Sequence, residues 1–316
     1  MKTIEVIRPG LLTTVQDNGR YGYQQYGVPV CGAMDGYAFT VANLLVGNNE
    51  WDACLEISLL GPCLRVLGDT VVAVTGADLN PTVNDKPLSM WEAAGVRCGD
   101  IISFGEPRTG CRGYLAIAGG IDVPQVMGSR STYVRSRLGG LDGRPIRSGD
   151  SLDTGGSRPI LTAKLPRQYI PDLMSENTLR VILGPQHDRF TEKGIHTFLS
   201  SEYTVTAQAD RMGCRLEGPP IEHIHGADIV SDGIPPGAVQ VPADGLPIVL
   251  LADRQTTGGY TKIATVSTID LSKVAQAQLG DRVRFLEITR SEAHRLLSEY
   301  RDTIDGIKRH IRSSTR

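Results

Sequence analysis

Short apolar runs separated by turn signals recur along both halves of the chain. The runs are four or five residues long, a length typical of strands rather than helices. They fall at residues 4–7, 71–74, 101–104, 114–117, 179–183, 248–251 and 282–285. Asn-Asp, Gly-Gly and Pro-Pro pairs lie between them, as expected of turns. The pattern predicts a mainly β fold of barrels or sandwiches, without alternating βαβ units.

Three segments carry a helical period instead. Residues 35–45 begin with Asp35, a capping residue type, and residues 271–278 follow Asp270, a residue of the same type. Residues 291–311 place apolar side chains on one stripe and charges elsewhere. We therefore expect few short helices and an amphipathic C-terminal helix that ends in a basic tail.

Gly and Pro residues between positions 154 and 171 interrupt the strand pattern. We predict an N-terminal β-domain over residues 1–158 and a C-terminal β-domain over residues 172–289. Residues 290–316 then form the helix and tail. Each half opens with a strand and a Gly-Pro or Pro-Gly pair, and later has a Gly-Asp turn before a strand. This shared order favours two related domains.

Composition narrows the function classes. The net charge is -2, so there is no basic excess to neutralise nucleic acid. No apolar run reaches membrane-spanning length, and residues 1–10 lack a signal-peptide core. None of the six cysteines forms a CxxC pair, which gives no support to zinc-ribbon or thioredoxin folds. We expect a reduced, cytoplasmic protein that binds neither membrane nor nucleic acid.

Two polar, glycine-bearing loops are the candidate sites. Residues 253–260 combine an acid, a base, an amide and two hydroxyls with Gly258 and Gly259. Residues 11–22 repeat the theme with Gln16, Asp17 and Arg20. Glycine lets backbone approach a ligand closely, and a guanidinium suits carboxylate, carboxamide or phosphate oxygens. Each loop can also be read as a hydrogen-bonded turn, but the repetition favours a shared cleft between domains.

Other motifs exclude several chemistries. There is no GxSxG elbow, no GxxxxGK[ST] loop and no GxGxxG at the start of a βαβ unit. His223 and His225 share a strand face, but the spacing suggests no third ligand, so no metal site is predicted. If residues 211–215 form a strand, Arg211, Gly213 and Arg215 share one of its faces. The two arginines are read either as solvated charges or as groups that line the cleft.

The same blocks carry a family resemblance. They resemble the allophanate hydrolase subunit 2 family, also described as biotin-dependent carboxyltransferase-like. The matching blocks are residues 9–17, 19–20, 32–35, 38, 42–48, 55–56, 76–78, 114–116, 119–120, 128–132, 210–213, 215–218, 237, 240–242, 244–245 and 253–260. They span nearly the whole chain to about residue 286.

The resemblance implies two cyclophilin-like β-barrel domains. It also implies a complex with 5-oxoprolinase subunits A and B, the latter KipI-like, that opens 5-oxo-L-proline to L-glutamate. ATP would be a co-substrate of the complex, with Mg²⁺ as a candidate companion ion. Fused relatives move a carboxyl group from carboxybiotin to urea. This chain has no Met-Lys-Met acceptor, so no biotin is attached to it.

The resemblance also assigns hypothetical roles, because both chemistries act on a small amide or ureide. Arg20 and Arg215 would clamp developing negative charge, and Asp17 or Asp253 would accept a proton. Gln16, Gln240 and Gln255 would bind the amide. The remaining substrate-binding candidates are Thr14, Thr256, Thr257, Gly258, Gly259 and Tyr260.

Two alternatives stay open. One is a regulatory protein that binds and neutralises a KipI-like inhibitor of a sensor kinase. The other is a carboxyltransferase component, as in urea carboxylase, served by separate biotin proteins.

Overall fold

The computed structural model describes residues 2–156, 163–173 and 177–314. The chain divides into two compact units. Unit 1 comprises Met1–Arg20, Cys31–Met174 and Asp302–Arg316, and unit 2 comprises Tyr21–Val30 and Ser175–Arg301. Residues 157–162 of the predicted boundary lie outside the described residues, and the predicted domain limits stay a prediction.

Unit 1 is built from two antiparallel sheets. Its strands are β1 (Lys2–Arg8), β2 (Leu12–Gln16), β3 (Cys54–Ser58), β4 (Cys63–Val66), β5 (Thr70–Asp78), β6 (Thr82–Val83), β7 (Lys86–Pro87), β8 (Ala93–Val96), β9 (Ile101–Ser103), β10 (Thr109–Ile117) and β11 (Ser151–Asp153). One sheet has the order β11-β1-β4-β9-β6-β7 and the other β2-β3-β10-β5-β8. Apolar side chains from both sheets, among them Ile4, Leu64, Leu55 and Leu115, form one buried core. The two sheets therefore pack face to face, as alternation along each strand requires.

The opposite face of the five-stranded sheet is polar. Thr14, Glu56, Tyr114 and Thr75 stand opposite one another on neighbouring strands. Helix α1 (Gly36–Leu45) covers this row, and Thr75 Oγ1 donates a hydrogen bond of 2.7 Å to the carbonyl of Ala38. The side chain of Asp35 accepts from the Ala38 N–H, so its predicted role as N-cap is confirmed.

Unit 2 contains a closed barrel. Its strands are β12 (Asn177–Leu183), β13 (Glu202–Val205), β14 (Gly213–Glu217), β15 (Asp228–Gly233), β16 (Ala238–Gln240), β17 (Ile248–Leu250), β18 (Thr257–Tyr260), β19 (Lys262–Val266) and β20 (Arg282–Glu287). The barrel order is β12-β19-β16-β17-β14-β13-β20, closed by the parallel pair of β12 and β20. Strands β15 and β18 form a separate two-stranded ribbon.

Two short helices belong to unit 2. Helix α2 (Glu192–Ser200), which the sequence pattern did not predict, begins at Thr191, whose hydroxyl accepts from the Gly194 N–H. It packs on the barrel through Phe198, whose ring stacks on Phe285 at 4.3 Å. Helix α3 (Leu271–Gln276) occupies a predicted position.

The predicted capping role of Asp270 is wrong. Its carboxylate makes no cap hydrogen bond and instead accepts from the guanidinium and backbone N–H of Arg180, at 2.6 to 2.9 Å. A bidentate, charge-assisted hydrogen bond is stronger than a capping hydrogen bond to a backbone N–H. The buried carboxylate of Asp270 therefore pairs with Arg180.

The C-terminal helix α4 (Arg290–Ser314) extends the predicted helix by a few residues. Of its apolar stripe, Ile304, Ile307 and Ile311 are buried. Lys308 in the predicted basic tail pairs with Glu50 at 2.9 Å. The mainly β class is confirmed, with four α-helices among the residues that the structure describes. Within the same ranges, no helix is long and apolar enough to cross a membrane.

Candidate functional site

The N-terminal polar group sits at the end of β2 in unit 1. Asp17 is 8% exposed, and its Oδ1 accepts hydrogen bonds from the Gly19 N–H and from the hydroxyls of Ser129 and Ser131. Its Oδ2 accepts from the Arg130 N–H at 2.5 Å. This carboxylate thus fixes the segment 128–132 against the end of β2. Its predicted role as proton acceptor stays a prediction.

Arg20 is completely buried. Its Nε donates to the carbonyl of Val126 and its Nη2 to that of Ser131, both at 2.9 Å. Among the described residues, the Nη1 of Arg20 has no hydrogen-bond partner. The guanidinium therefore positions the backbone of residues 126–131, and a clamp role would require it to become accessible.

Gln16 and Thr14 lie beside this group. Gln16 Nε2 donates to Thr14 Oγ1 at 3.0 Å and to the carbonyl of Thr132 at 3.1 Å. Its Oε1 is buried and lacks a partner within the described part of the chain. Both side chains are at most 1% exposed. They complete a buried polar layer beside the loop that Asp17 organises.

A cavity of about 1070 Å³ opens next to Asp17 in unit 1. Its walls include Gly128 and Arg130 from the organised loop, Trp51, and Lys308 from α4. Arg130 and Lys308 already have acidic partners, Asp122 and Glu50. These two charges are therefore paired, and Arg312 lines the same cavity.

In unit 2, Asp253 is held by an arginine. Arg211 Nε donates to Asp253 Oδ2 at 3.0 Å and Nη2 to Oδ1 at 2.9 Å, and both side chains are buried. This bidentate pair fixes the start of the loop 253–260. The pairing distinguishes Arg211 from Arg215, which is exposed on β14.

The structure brings Gln240, Gln255 and Gly258 together. Gln255 Nε2 donates to Gln240 Oε1 at 3.4 Å. A Cβ atom placed on Gly258 would lie 3.0 Å from Gln240 Nε2 and 3.4 Å from Gln255 Nε2. Gln240 is 2% exposed, and its Nε2 has no partner among the residues described. The carboxamides of Gln240 and Gln255, here called the amide pair, thus both lie against Gly258. The Nε2 of Gln240 remains a buried donor without a partner among the described residues.

The rest of the predicted loop forms the ribbon. Thr257, Gly259 and Tyr260 belong to β18, and Thr256 accepts the Ile234 N–H through its carbonyl. Thr257 and Tyr260 are exposed. Thr257 and Gly259 flank Gly258 along this strand.

Arg215 shares a barrel face with the amide pair. It stands opposite Ile248, which stands opposite Gln240. Opposite residues in antiparallel strands project to the same side. Arg215 and Gln240 are therefore two strands apart on the outer face, roughly 10 Å at the usual strand spacing. Its role as a clamp stays a prediction.

Sequence reasoning missed three residues of this group. Lys262 stands opposite Gln240, is 2% exposed, and donates from Nζ to Asp232 Oδ2 at 3.1 Å. Gln186 Oε1 accepts from the Lys262 N–H at 3.3 Å. The available signal was a lone lysine that opens the apolar strand after Tyr260.

The electrostatics of the group favour a charged Asp232. The hydrogen bond from Lys262 lowers the pKa of Asp232 from its usual value, and the Gly233 N–H adds to the effect.

In unit 1, burial raises the pKa of the Cys54 thiol, with Glu56 and Asp17 contributing. Cys54 is therefore a neutral, unreactive thiol. Across the described ranges, no group of three or more His, Cys, Asp or Glu side chains could hold a metal ion.

Sequence comparison identifies relatives of similar length. The chain is 38% identical over 290 residues to the C subunit of the 5-oxoprolinase of Escherichia coli strain K12, covering 92% of this chain and 93% of that protein. It is 35% identical over 308 residues to the protein of the same name from Haemophilus influenzae, covering 98% of each.

Structure comparison finds a similar region within a larger enzyme. The crystal structure of the Kluyveromyces lactis urea amidolyase superposes with a TM-score of 0.92 at 34% identity, covering 97% of this chain and 20% of that one. This chain thus spans about a fifth of the urea amidolyase. The family model "Carboxyltransferase domain, subdomain A and B" matches residues 26–287. The chain therefore belongs to the family of carboxyltransferase domains of subdomains A and B.

Proposed function

We propose that the chain is a subunit of a cytoplasmic, ATP-dependent 5-oxoprolinase, which opens 5-oxo-L-proline to L-glutamate together with subunits A and B. The observation that carries this proposal is the identity of 35%, over 98% of both chains, to the C subunit of a 5-oxoprolinase. A match of this kind covers the site residues of both units.

The amide pair of Gln240 and Gln255 in unit 2 supports the same proposal. A lactam presents a carbonyl oxygen and an N–H, and carboxamides pair with both. Gln255 is exposed, and the buried Nε2 of Gln240 lacks a partner among the described residues. An unsatisfied buried donor costs free energy that a ligand acceptor would recover. The pair is thus suited to bind a small amide.

ATP enters this proposal as a co-substrate. Phosphorylation of the lactam oxygen makes ring opening feasible: water adds to the ring carbon, the C–N bond breaks, and the nitrogen takes a proton. A second water hydrolyses the acyl phosphate that remains to glutamate and inorganic phosphate. In this chain, Gln240 and Gln255 would orient the lactam. Asp253, fixed by Arg211, would hold the loop that carries Gln255.

The test is reconstitution. The chain is co-purified with subunits A and B, and glutamate release from 5-oxo-L-proline is measured with and without ATP. We expect ATP-dependent release that disappears when this chain is omitted. A complete, folded assembly that releases no glutamate would contradict the proposal.

A carboxyltransferase role is the second candidate, favoured by the family model and by the TM-score of 0.92 to urea amidolyase. It predicts ATP-independent transfer of a carboxyl group from carboxybiotin to urea by this chain. Transfer assayed with free carboxybiotin distinguishes it from lactam opening.

A further inference from the structure

Asp232 lies outside the two loops that carry the predicted site residues. Two independent contacts nevertheless place it beside Gln240 and Gln255. Along the ribbon, Asp232 stands directly opposite Gly258. Across the barrel surface, its carboxylate contacts Lys262, which stands opposite Gln240. Both connections end at the amide pair.

The register of β15 and β18 also determines the face of the ribbon on which the Asp232 side chain lies. Opposite residues of an antiparallel pair send their side chains to one face, with Cβ atoms about 5 Å apart. The Cβ direction of Gly258 points to Gln240 Nε2 and Gln255 Nε2, at 3.0 and 3.4 Å. Asp232 therefore projects from the ribbon on the side of the two carboxamides.

Asp232 also retains capacity to accept hydrogen bonds. Its Oδ2 accepts from Lys262 and its Oδ1 from the Gly233 N–H, while its side chain is 54% exposed. A carboxylate has about four acceptor positions. The buried ammonium of Lys262 holds it in place and keeps it ionised.

We propose that Asp232, anchored by Lys262, is a further substrate-positioning residue that accepts the N–H of the substrate amide while Gln240 and Gln255 donate to its carbonyl oxygen. This inference rests on the proposed function and specifies its ligand class. The ligand is a small lactam or ureide in which N–H and C=O point to the same side. Ring closure imposes that geometry on a planar five-membered lactam.

The first experiment measures Michaelis constants for 5-oxo-L-proline in the reconstituted complex. Asp232→Asn keeps the size of the side chain but removes its charge. We expect the Michaelis constant to rise about 10- to 100-fold, the value of a hydrogen bond to a charged group, with kcat changed much less. Asp228→Asn is the matched control, because Asp228 is an exposed aspartate on the same strand opposite Tyr260. It should leave both constants unchanged.

The second experiment separates a contact with the N–H from a structural role. The lactone analogue of 5-oxo-L-proline has a ring oxygen in place of the N–H, and it is tested as a competitive inhibitor. The wild-type complex should bind it at least about tenfold more weakly than the lactam, and Asp232→Asn should abolish most of that preference. An unchanged preference in the variant would overturn the inference, even if the Michaelis constant rises.

Asp232→Glu and thermal unfolding complete the design. Partial rescue by the glutamate, at an unchanged unfolding midpoint, is expected of a carboxylate contact. An Asp232→Asn complex with wild-type constants refutes the role of Asp232 and leaves the proposed function intact. A wild-type complex that does not open 5-oxo-L-proline refutes the proposed function instead.

Discussion

Gly258 and Gly259 are neighbours in one strand, but only Gly258 lies against the carboxamides. A Cβ on Gly258 would be 2.6 Å from Ile234 Cδ1 and 3.0 Å from Gln240 Nε2, whereas on Gly259 the nearest atom is 3.4 Å away. Gly258→Ala should therefore displace the amide pair and raise the Michaelis constant for 5-oxo-L-proline about tenfold or more. Gly259→Ala should have little effect. Equal effects of the two variants on the reconstituted complex would contradict the assignment of Gly258 to the site.

Arg20 provides a second test at the residue scale. Arg20→Ala leaves the carbonyls of Val126 and Ser131 without their donors, which should lower the free energy of unfolding by about 2–4 kcal/mol. Arg8→Ala, at an exposed position of β1, is the control and should change it by less than about 0.5 kcal/mol. Urea unfolding of the full chain measures both. Wild-type stability of Arg20→Ala would remove the positioning role.

The sequence predicted some of these residues and missed others for a clear reason. Gln255 and Gly258 stand out because polar and glycine residues are dense in one loop. Lys262 and Asp232 are separated along the chain and meet only through strand register. Likewise, the choice of Arg211 rather than Arg215 as the partner of Asp253 depends on which arginine the fold buries. Register between distant strands cannot be derived from local pattern.

At the scale of elements, the contact between β12 and α3 predicts an acid-sensitive stability. Burial alone would raise the pKa of Asp270, but the hydrogen bonds from Arg180 outweigh it and lower the pKa. The contribution of the pair is therefore complete above the unfolded pKa of about 3.9 and is lost as the pH falls through the lowered folded value.

Asp270→Asn should thus lower stability at pH 7 by about 2–3 kcal/mol and flatten its fall below pH 4. Asp188→Asn, an exposed substitution in the same unit, should keep the wild-type profile. Unfolding free energies measured from pH 2 to 7 make the comparison. An Asp270→Asn profile parallel to wild type would contradict this account.

Helix α4 gives the second element-scale prediction. Ile307 is fully buried and Arg309, two residues on, is exposed. Ile307→Ala should cost about 2–5 kcal/mol, and Arg309→Ala less than about 0.5 kcal/mol. Urea unfolding measures both, and similar costs would show that the helix is not docked through its apolar stripe.

Elements with a strong period were predictable, and those defined by context were not. The strands at residues 4–7 and 179–183 and the helix α4 were found because their patterns are regular. Helix α2 escaped because it is short and contains Gly194, which lowers helix propensity. It forms because Thr191 caps it and Phe198 packs on the barrel.

At the scale of the whole molecule, the proposed function requires partner subunits. The relatives of matching length are subunits by name, and in this proposal Gln240 and Gln255 bind the substrate without completing the reaction. The central claim is that Gln240 and Gln255 bind the substrate amide within a 5-oxoprolinase.

The most direct measurement is the Michaelis constant for 5-oxo-L-proline in ATP-dependent glutamate release by the complex carrying Gln255→Leu. Gln208→Leu, exposed in the same unit, serves as the control. We predict a rise of about tenfold or more for Gln255→Leu and none for Gln208→Leu. Unchanged turnover and Michaelis constant in the Gln255→Leu complex would contradict the central claim.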